Sequence, residues 1–238
     1  VCVVAEMGDL VSVGKAAREI ATRFPQVFAV VQNAGALLNS REVSPQGIEQ
    51  TISSHVLGPH LLTTVLLPNL IATQGRVVTV SSGGMYSAEL PNVDGKRTLE
   101  MRVDSYNGSK QYAIAKRAQV TLNEMWATKE RSVHFDSMHP GWADTPGVQT
   151  SLPLFHAITR FALRSPAEGA DTIVWMAAAT EASKLSGQLL LDREPQTLYL
   201  LRGTQEAPAE RKKLLQFMED FAPVDAPNDA AQKQAHAG

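Results

Sequence analysis

The chain has 238 residues, of which 44% are hydrophobic and 19% are charged, and this composition supports one well-buried globular core. A formal net charge of −2 leaves no basic surface typical of nucleic-acid binding, so we expect no nucleic-acid partner. The single cysteine, Cys2, excludes an internal disulfide framework, and we expect a cytoplasmic protein without a metal site.

The first part of the chain alternates short apolar runs with helical patterns. Residues 1–4 predict a buried strand, and Asp9 is the expected N-cap of the helix after it. Residues 27–31 predict a second strand. Ser44-Pro45 predicts the start of a long helix through Leu70, with a bend at Pro59.

The longest apolar stretch of the chain, residues 61–72, lies at the end of this helix. Polar residues and Pro68 interrupt it, and it is shorter than a bilayer-spanning helix requires. We therefore expect no transmembrane segment.

The second part repeats the same alternation. Strands are predicted at residues 76–80, 133–138 and 187–192, with a polar loop at 85–104 and a helix that carries Tyr112 and Lys116 and runs to about Ala127. Ser165-Pro166-Ala167-Glu168 has the pattern of a capping box and predicts a helix to about Ala179. A C-terminal helix is predicted at residues 209–221.

Apolar strands that alternate with helices indicate an α/β fold with a parallel sheet covered on both faces. In such sheets the carboxyl ends of the strands form the usual ligand site.

The pair Tyr112 and Lys116 places a phenol and an ammonium one helical turn apart. A neighbouring cation favours the phenolate, so Lys116 is expected to lower the pKa of Tyr112 and make it a candidate general acid/base. The spacing recurs in Tyr106 and Lys110, and spacing alone leaves both registers open.

The order of the motifs is specific: Asn33-Ala34-Gly35, Ser81-Ser82-Gly83, Tyr112-x-x-x-Lys116, and Pro140-Gly141 with Thr145-Pro146. It resembles the short-chain dehydrogenase/reductase family, in its retinol-dehydrogenase-like branch, up to about residue 192. The resemblance implies a Rossmann-like doubly wound parallel sheet, here lacking the first two strands of the family fold. It implies a partial domain at residues 1–192, a C-terminal extension with a helix at 193–222 and a disordered tail at 223–238.

The resemblance also assigns roles. The small and apolar residues after Lys116 match the family's catalytic helix, which favours Tyr112 over Tyr106. Tyr112 would exchange a proton with the substrate oxygen, Lys116 would hold the nicotinamide ribose, and Ser82 would orient the oxygen. The remaining residues match the positions that line NAD or NADP in the family: Glu6, Asn33, Ala34, Gly35, Pro140, Gly141 and Thr145.

Two features depart from the family. His55 stands where the family has a catalytic Asn, and it could relay a proton or indicate lost catalysis. No Gly-x-x-x-Gly-x-Gly turn for the pyrophosphate is present in the sequence, and the first strand corresponds to the family's third. We therefore expect a truncated piece of a longer protein, with the strand at 27–31 exposing an apolar edge.

The substrate expected from the resemblance is an alcohol or carbonyl compound. Apolar residues could line a pocket for a lipophilic molecule, or could instead pack their loop onto the core: Met85, Tyr86, Leu90, Met101, Trp142 and Phe155. The family's two long helices are its usual dimer surface, which allows a homodimer. The alternative is a catalytically inactive member of the same fold that binds partners without a cofactor.

Overall fold

The centre of the protein is a five-stranded sheet with the strand order β1-β2-β3-β4-β5. The structure is a computed structural model, and it describes residues 1–91, 99–144, 163–201 and 203–220. The strands are β1 (Ala29–Gln32), β2 (Arg76–Val80), β3 (His134–Met138), β4 (Leu189–Leu191) and β5 (Glu194–Pro195). The first four are parallel, and β5 pairs with β4 antiparallel.

Helices connect these strands. They are α1 (Leu10–Arg23), α2 (Gln50–Ile52), α3 (Gly58–Ile71), α4 (Gly108–Lys129), α5 (Pro166–Ala178) and α6 (Pro208–Asp220). A π-helical turn, Ser53–Leu57, joins α2 to α3, and short 3₁₀ turns lie at Gly83–Ser87, Val103–Ser105 and Glu181–Lys184.

Side chains along each strand point alternately to the two faces of the sheet, and each face packs against its own layer of helices. Val30, Val77 and Phe135 are paired across neighbouring strands and pack with residues of α1, α3 and α4. Val78 and Met138 point to the opposite face of the sheet, where they pack with residues of α5. Helices therefore cover both faces of the sheet, and the predicted α/β class with a Rossmann-like parallel sheet is confirmed.

Two predicted helix caps are present. The Asp9 side chain accepts a hydrogen bond from the Val11 backbone N–H at 3.0 Å and starts α1. Ser165 and Glu168 form the reciprocal capping box that starts α5.

The strand predicted at residues 1–4 is wrong. Val1 and Val4 are 92% and 86% exposed, and no strand is described before β1. A strand is stable only when its backbone N–H and C=O groups pair with a neighbour, and none of the described residues pairs with this run. Among the described residues the sheet therefore begins with β1.

The outer edge of β1 carries no neighbouring strand among the described residues. Val31, within β1, is 41% exposed, and Phe28, just before it, is 67% exposed. The apolar edge expected from the sequence is therefore present at β1.

The long helix does not begin at Ser44-Pro45. Ser44 starts a turn in which the Gly47 N–H donates to the Ser44 carbonyl at 2.9 Å, and Gly47 has a φ of +77° that a helix cannot continue. The helix begins at Gln50, because the Glu49 carboxylate accepts from the Ile52 N–H at 2.9 Å and caps it. The break expected at Pro59 falls in the π-helical turn just before that proline.

The predicted C-terminal helix is confirmed as α6. Its Leu214 and Met218 are buried in one cluster with Leu10, Ile52 and Ala115, so α6 is part of the core around α4. The expected disorder at 223–238 lies outside the described residues. Within the described ranges no helix combines the length and apolar character needed to cross a bilayer.

Candidate active site

Only one of the two Tyr-x-x-x-Lys pairs lies within a helix. Helix α4 begins after Asn107, whose side chain accepts from the Lys110 N–H at 2.9 Å. Tyr106 therefore precedes the helix, and its hydroxyl donates to the Glu49 carboxylate at 3.0 Å. Tyr112 and Lys116 lie inside α4 on one face.

Tyr112 meets Ser82 at the carboxyl end of β2. Ser82 lies close enough to the phenol to favour its ionised form, and the Ser82 hydroxyl accepts from the Gly84 N–H at 3.2 Å. Because Ser82 continues the strand direction in extended conformation, its hydroxyl is held at the sheet edge. This arrangement places a phenol and a hydroxyl side by side, as binding of one substrate oxygen requires.

Lys116 joins the same helix to the same strand. Its ammonium is buried and donates to the Val80 carbonyl at 2.8 Å, and it lies 5.3 Å from the centre of the Tyr112 ring. The Ser81 hydroxyl donates to the Lys116 carbonyl at 3.0 Å. These bonds fix the distance between α4 and the end of β2.

Burial is the largest cause of the pKa shifts of Tyr112 and Lys116. It raises the pKa of Tyr112, against the hydrogen bond with Ser82, and it lowers the pKa of Lys116 to about 7. The expected lowering of the Tyr112 pKa by Lys116 is thus not found. The reason is geometric, since the ammonium lies beside the ring and bonds Val80, and it is itself easily deprotonated.

His55 also lies next to Tyr112. The two rings are edge-on, with centres 5.4 Å apart and planes at 82°. His55 Nδ1 is 3.0 Å from the Thr51 carbonyl, which can only accept, so Nδ1 carries the hydrogen. His55 Nε2 is then a buried acceptor, and it has no hydrogen-bond partner among the described residues. Burial and the Lys116 charge lower the pKa of His55 to about 3, so the imidazole is neutral at physiological pH.

Gly35 follows β1 and lies against this imidazole. A Cβ at residue 35 would lie 2.4 Å from His55 Nε2, a distance that no side chain tolerates. Gly35 is therefore required by the close approach of the loop to His55. Asn33 and Ala34, beside it, are exposed.

Gln119 belongs to this site, although the sequence did not single it out. Its amide nitrogen donates to the His55 carbonyl at 2.7 Å and so holds the π-helical turn. The available signal was its position: Gln119 lies seven residues after Tyr112, on the same face of a helix whose other inward residues are mostly small or apolar.

Three of the remaining cofactor candidates lie in two turns of the chain. Pro140 and Gly141 follow β3, and Gly141 has a φ of +71° that favours glycine. Arg164 contacts this turn and pairs with Asp192. The Glu6 carboxylate accepts from the Gly8 N–H at 3.2 Å in the turn before α1. Thr145 lies outside the described residues.

The loop after β2 packs onto the core. Met85 and Leu90 are buried, and Met101 packs with Ala113 and Ile114 of α4. Trp142 is 53% exposed, and Phe155 lies outside the described residues. Of the two interpretations of this apolar loop, packing therefore accounts for Met85, Leu90 and Met101.

These residues fit the nicotinamide half of a dinucleotide. The Lys116 ammonium has three N–H donors, of which the Val80 carbonyl takes one. His55 Nε2 is an open acceptor, and Gly35 leaves the backbone bare beside it. No glycine-rich phosphate turn precedes a helix in the described ranges. Nor do those ranges contain a group of three or more potential metal ligands.

Comparisons with known proteins find similar sequences. Residues 1–92 match the family model described as short chain dehydrogenase. The chain is 41% identical over 200 residues to dehydrogenase/reductase SDR family member 12 from Homo sapiens, covering 83% of this chain and 62% of that protein. It is 29% identical to polyprenol dehydrogenase from Mus musculus, covering 79% of this chain and 58% of that protein. The chain thus spans less than two thirds of these relatives.

A solved structure shares the fold. The crystal structure of 3-ketoacyl-(acyl-carrier-protein) reductase from Brucella melitensis complexed with NADH superposes with a TM-score of 0.59 at 18% identity, covering 79% of this chain and 74% of that one.

Proposed function

The chain belongs to the short-chain dehydrogenase/reductase family, and we propose that it forms all or part of an NAD- or NADP-dependent oxidoreductase that acts on an alcohol or carbonyl. The observation that carries this proposal is the surroundings of the Tyr112 phenol: Ser82 interacts with it, the His55 ring lies 5.4 Å from the Tyr112 ring, and the Lys116 ammonium lies 5.3 Å from the same ring.

Tyr112 is the proton donor and acceptor at the substrate oxygen. The Ser82 oxygen accepts a hydrogen bond from the Gly84 N–H. The Ser82 hydroxyl can still donate its own hydrogen, and it would donate it to the same substrate oxygen. A nicotinamide bound here would supply or receive the hydride. The half-buried Tyr112 keeps its proton at neutral pH, which suits protonation of a nascent alkoxide.

Lys116 and His55 would bind the cofactor ribose and a hydroxyl or water beside Tyr112. Lys116 would donate to the nicotinamide ribose with the N–H groups that Val80 leaves open. His55 would accept a hydrogen bond at Nε2 from a hydroxyl or water beside Tyr112. Since its pKa is about 3, His55 acts as a neutral acceptor and not as an acid at physiological pH.

The substrate proposed is lipophilic. Support comes from the relative named polyprenol dehydrogenase and from a further relative named retinol dehydrogenase 14 from Homo sapiens, which is 25% identical. A cytoplasmic location belongs to the same proposal. For a homodimer we propose α3 as the contact, because α3 has exposed residues such as Thr64 and Ile71 whereas α4 is buried from Ala113 to Asn123.

The test is a fluorescence titration of NADH and NADPH against this chain and against the full natural protein. Turnover is then measured with and without Tyr112→Phe, which removes the acidic proton and keeps the ring. We expect turnover to fall by about 10²-fold or more in Tyr112→Phe, with cofactor affinity retained.

The alternative is a partner-binding scaffold of the same fold that holds no cofactor. Failure of both NADH and NADPH to bind the full natural protein would favour the scaffold and reject the oxidoreductase. Equal turnover of the parent and Tyr112→Phe would instead reject Tyr112 as the acid/base.

A further inference from the structure

Helix α4 is buried around its whole circumference in its central part. Every residue from Ala113 to Asn123 is buried. A helix that packs on a sheet alone buries one stripe of residues, so a second layer must cover its outer side. Part of that layer is the C-terminal segment, defined here as residues 198–201 and 203–218.

The contact between α4 and the C-terminal segment contains a buried ion pair. The Arg117 side chain is 0% exposed and the Glu206 side chain 1% exposed, with Arg117 Nε 3.9 Å from Glu206 Oε1. Both terminal nitrogens of Arg117 donate to the Leu198 carbonyl, at 2.9 and 3.0 Å. The guanidinium also lies 4.8 Å from the centre of the Tyr199 ring.

Glu206 extends this contact along the helix. Its carboxylate accepts hydrogen bonds from the Thr121 hydroxyl at 2.9 Å and from the Tyr199 hydroxyl. One turn further on, Glu124 pairs with Arg211 of α6. Arg117, Thr121 and Glu124 succeed one another at spacings of four and three, so they form one face of α4.

The proposed catalytic residues form a different face of the same helix. Tyr112, Lys116 and Gln119 also succeed one another at spacings of four and three, and they contact Ser82, Val80 and His55 respectively. Neighbouring residues on an α-helix are about 100° apart, so Lys116 and Arg117 point to different sides. Bonds on both sides determine how far α4 is rotated about its own axis.

We propose that Arg117, held by Glu206 of the C-terminal segment, is a positioning residue that sets the rotation of α4 and thereby keeps the Tyr112 phenol on Ser82. An apolar pair could fill the same space, but the two bonds from Arg117 to a single carbonyl are compatible with one orientation only. The consequence for turnover rests on the proposed function.

The test uses the full natural protein with two variants. Glu206→Gln removes the charge partner of Arg117. The double variant Arg117→Met, Glu206→Met removes the pair while retaining apolar packing, and keeps the test valid if the single variant does not fold. Asp136→Asn is the matched control, because Asp136 is a buried carboxylate on β3 that faces the α5 layer, opposite α4.

The readouts are kcat, KM and the alkaline ultraviolet titration of Tyr112, taken as the difference between each protein and its own Tyr112→Phe form. A displacement of about 1 Å can reduce turnover on the order of 10²-fold, so we expect kcat to fall by that order with KM within about twofold. The pKa of Tyr112 should fall toward its ordinary value of about 10, because a rotated helix exposes the phenol to water. Asp136→Asn should change neither.

Unchanged kcat and an unchanged Tyr112 titration in the folded double variant would overturn the proposal. The titration does not need substrate turnover. An inactive parent protein in which the Tyr112 titration still shifts would therefore count against the proposed function and in favour of the positioning role.

Discussion

Burial determines the charges of the side chains around Tyr112. No carboxylate of the described residues forms an ion pair with Lys116, and burial alone lowers the pKa of its ammonium to about 7. His55 is likewise held neutral. The immediate surroundings of the phenol are therefore weakly charged at neutral pH, and its own pKa is raised.

Lys116 should leave a signature in the pH dependence of stability. In the unfolded chain a lysine has a pKa of about 10.4. Between about pH 7 and 10 the unfolded state thus binds more protons than the folded state, and the free energy of unfolding rises with pH by up to about 1.4 kcal/mol per unit. Lys116→Met should remove this rise and raise stability at pH 7, as measured by urea unfolding between pH 6 and 9.5.

Lys110→Met is the control for that experiment. Lys110 lies on α4 too, but it is exposed, so this variant removes a lysine without removing a buried ammonium. A Lys116→Met protein with the same slope as the parent would show that the ammonium is hydrated in the folded state.

At the level of elements, the π-helical turn depends on the loop after β1. Gly35 and His55 are in direct contact, and the Gln119 amide holds the turn from the other side. A change in the loop should therefore act through the imidazole.

A double-mutant cycle tests this contact. Gly35→Ala should destabilise the fold by about 1–3 kcal/mol, because its Cβ overlaps the imidazole. In a His55→Ala background the same change should cost much less, since the ring is gone. Thermal or urea unfolding of the four proteins gives the coupling energy.

Gly84→Ala is a suitable reference for the cycle. A Cβ there would lie 3.6 Å from Ser82 Oγ, an ordinary contact. Additive effects of Gly35→Ala and His55→Ala would contradict the contact.

Elements with local signals were predictable from the sequence. Asp9 and the Ser165 box identified two helix starts, and apolar runs located β1 to β4, because caps and strand periodicity are set by neighbouring residues. The predictions of a strand at residues 1–4 and of a helix start at Ser44 were wrong for the opposite reason. Whether an apolar run becomes a strand depends on a pairing partner distant in sequence, and Ser44 could not cap a long helix because the chain turns at Gly47.

The candidate site shows the same division. The spacing of Tyr112 and Lys116 in the sequence sufficed to place them on one helix face, whereas the raised pKa of Tyr112 depends on burial by residues from other elements. The contacts of Gln119 with His55 and of Arg117 with Glu206 join residues far apart in the chain, and no local pattern predicts them.

For the molecule as a whole, the open edge of β1 predicts self-association. Val31 exposes an apolar side chain beside backbone groups that no described strand pairs, the arrangement that promotes edge-to-edge pairing. Val31→Lys should reduce concentration-dependent aggregation of this chain, measured by light scattering, and change the free energy of unfolding by less than about 0.5 kcal/mol.

Val174→Lys separates this effect from general solubility. Val174 is 63% exposed and lies on α5, so it is not part of the backbone edge of the sheet. Equal improvement by both substitutions would mean that net charge, and not the edge of β1, controls aggregation.

The enclosure of α4 by the sheet and by α6 also has a consequence for how the protein opens. Local fluctuations release elements that have one side in water, and α4 between Ala113 and Asn123 has none. Its amide hydrogens should exchange with deuterium only through global unfolding, and so more slowly than those of α1, which has exposed residues along its length. Tyr112 and Lys116 would then lie at the end of the most persistent part of the native state, and the proposed chemistry would lose its support only when the whole fold does.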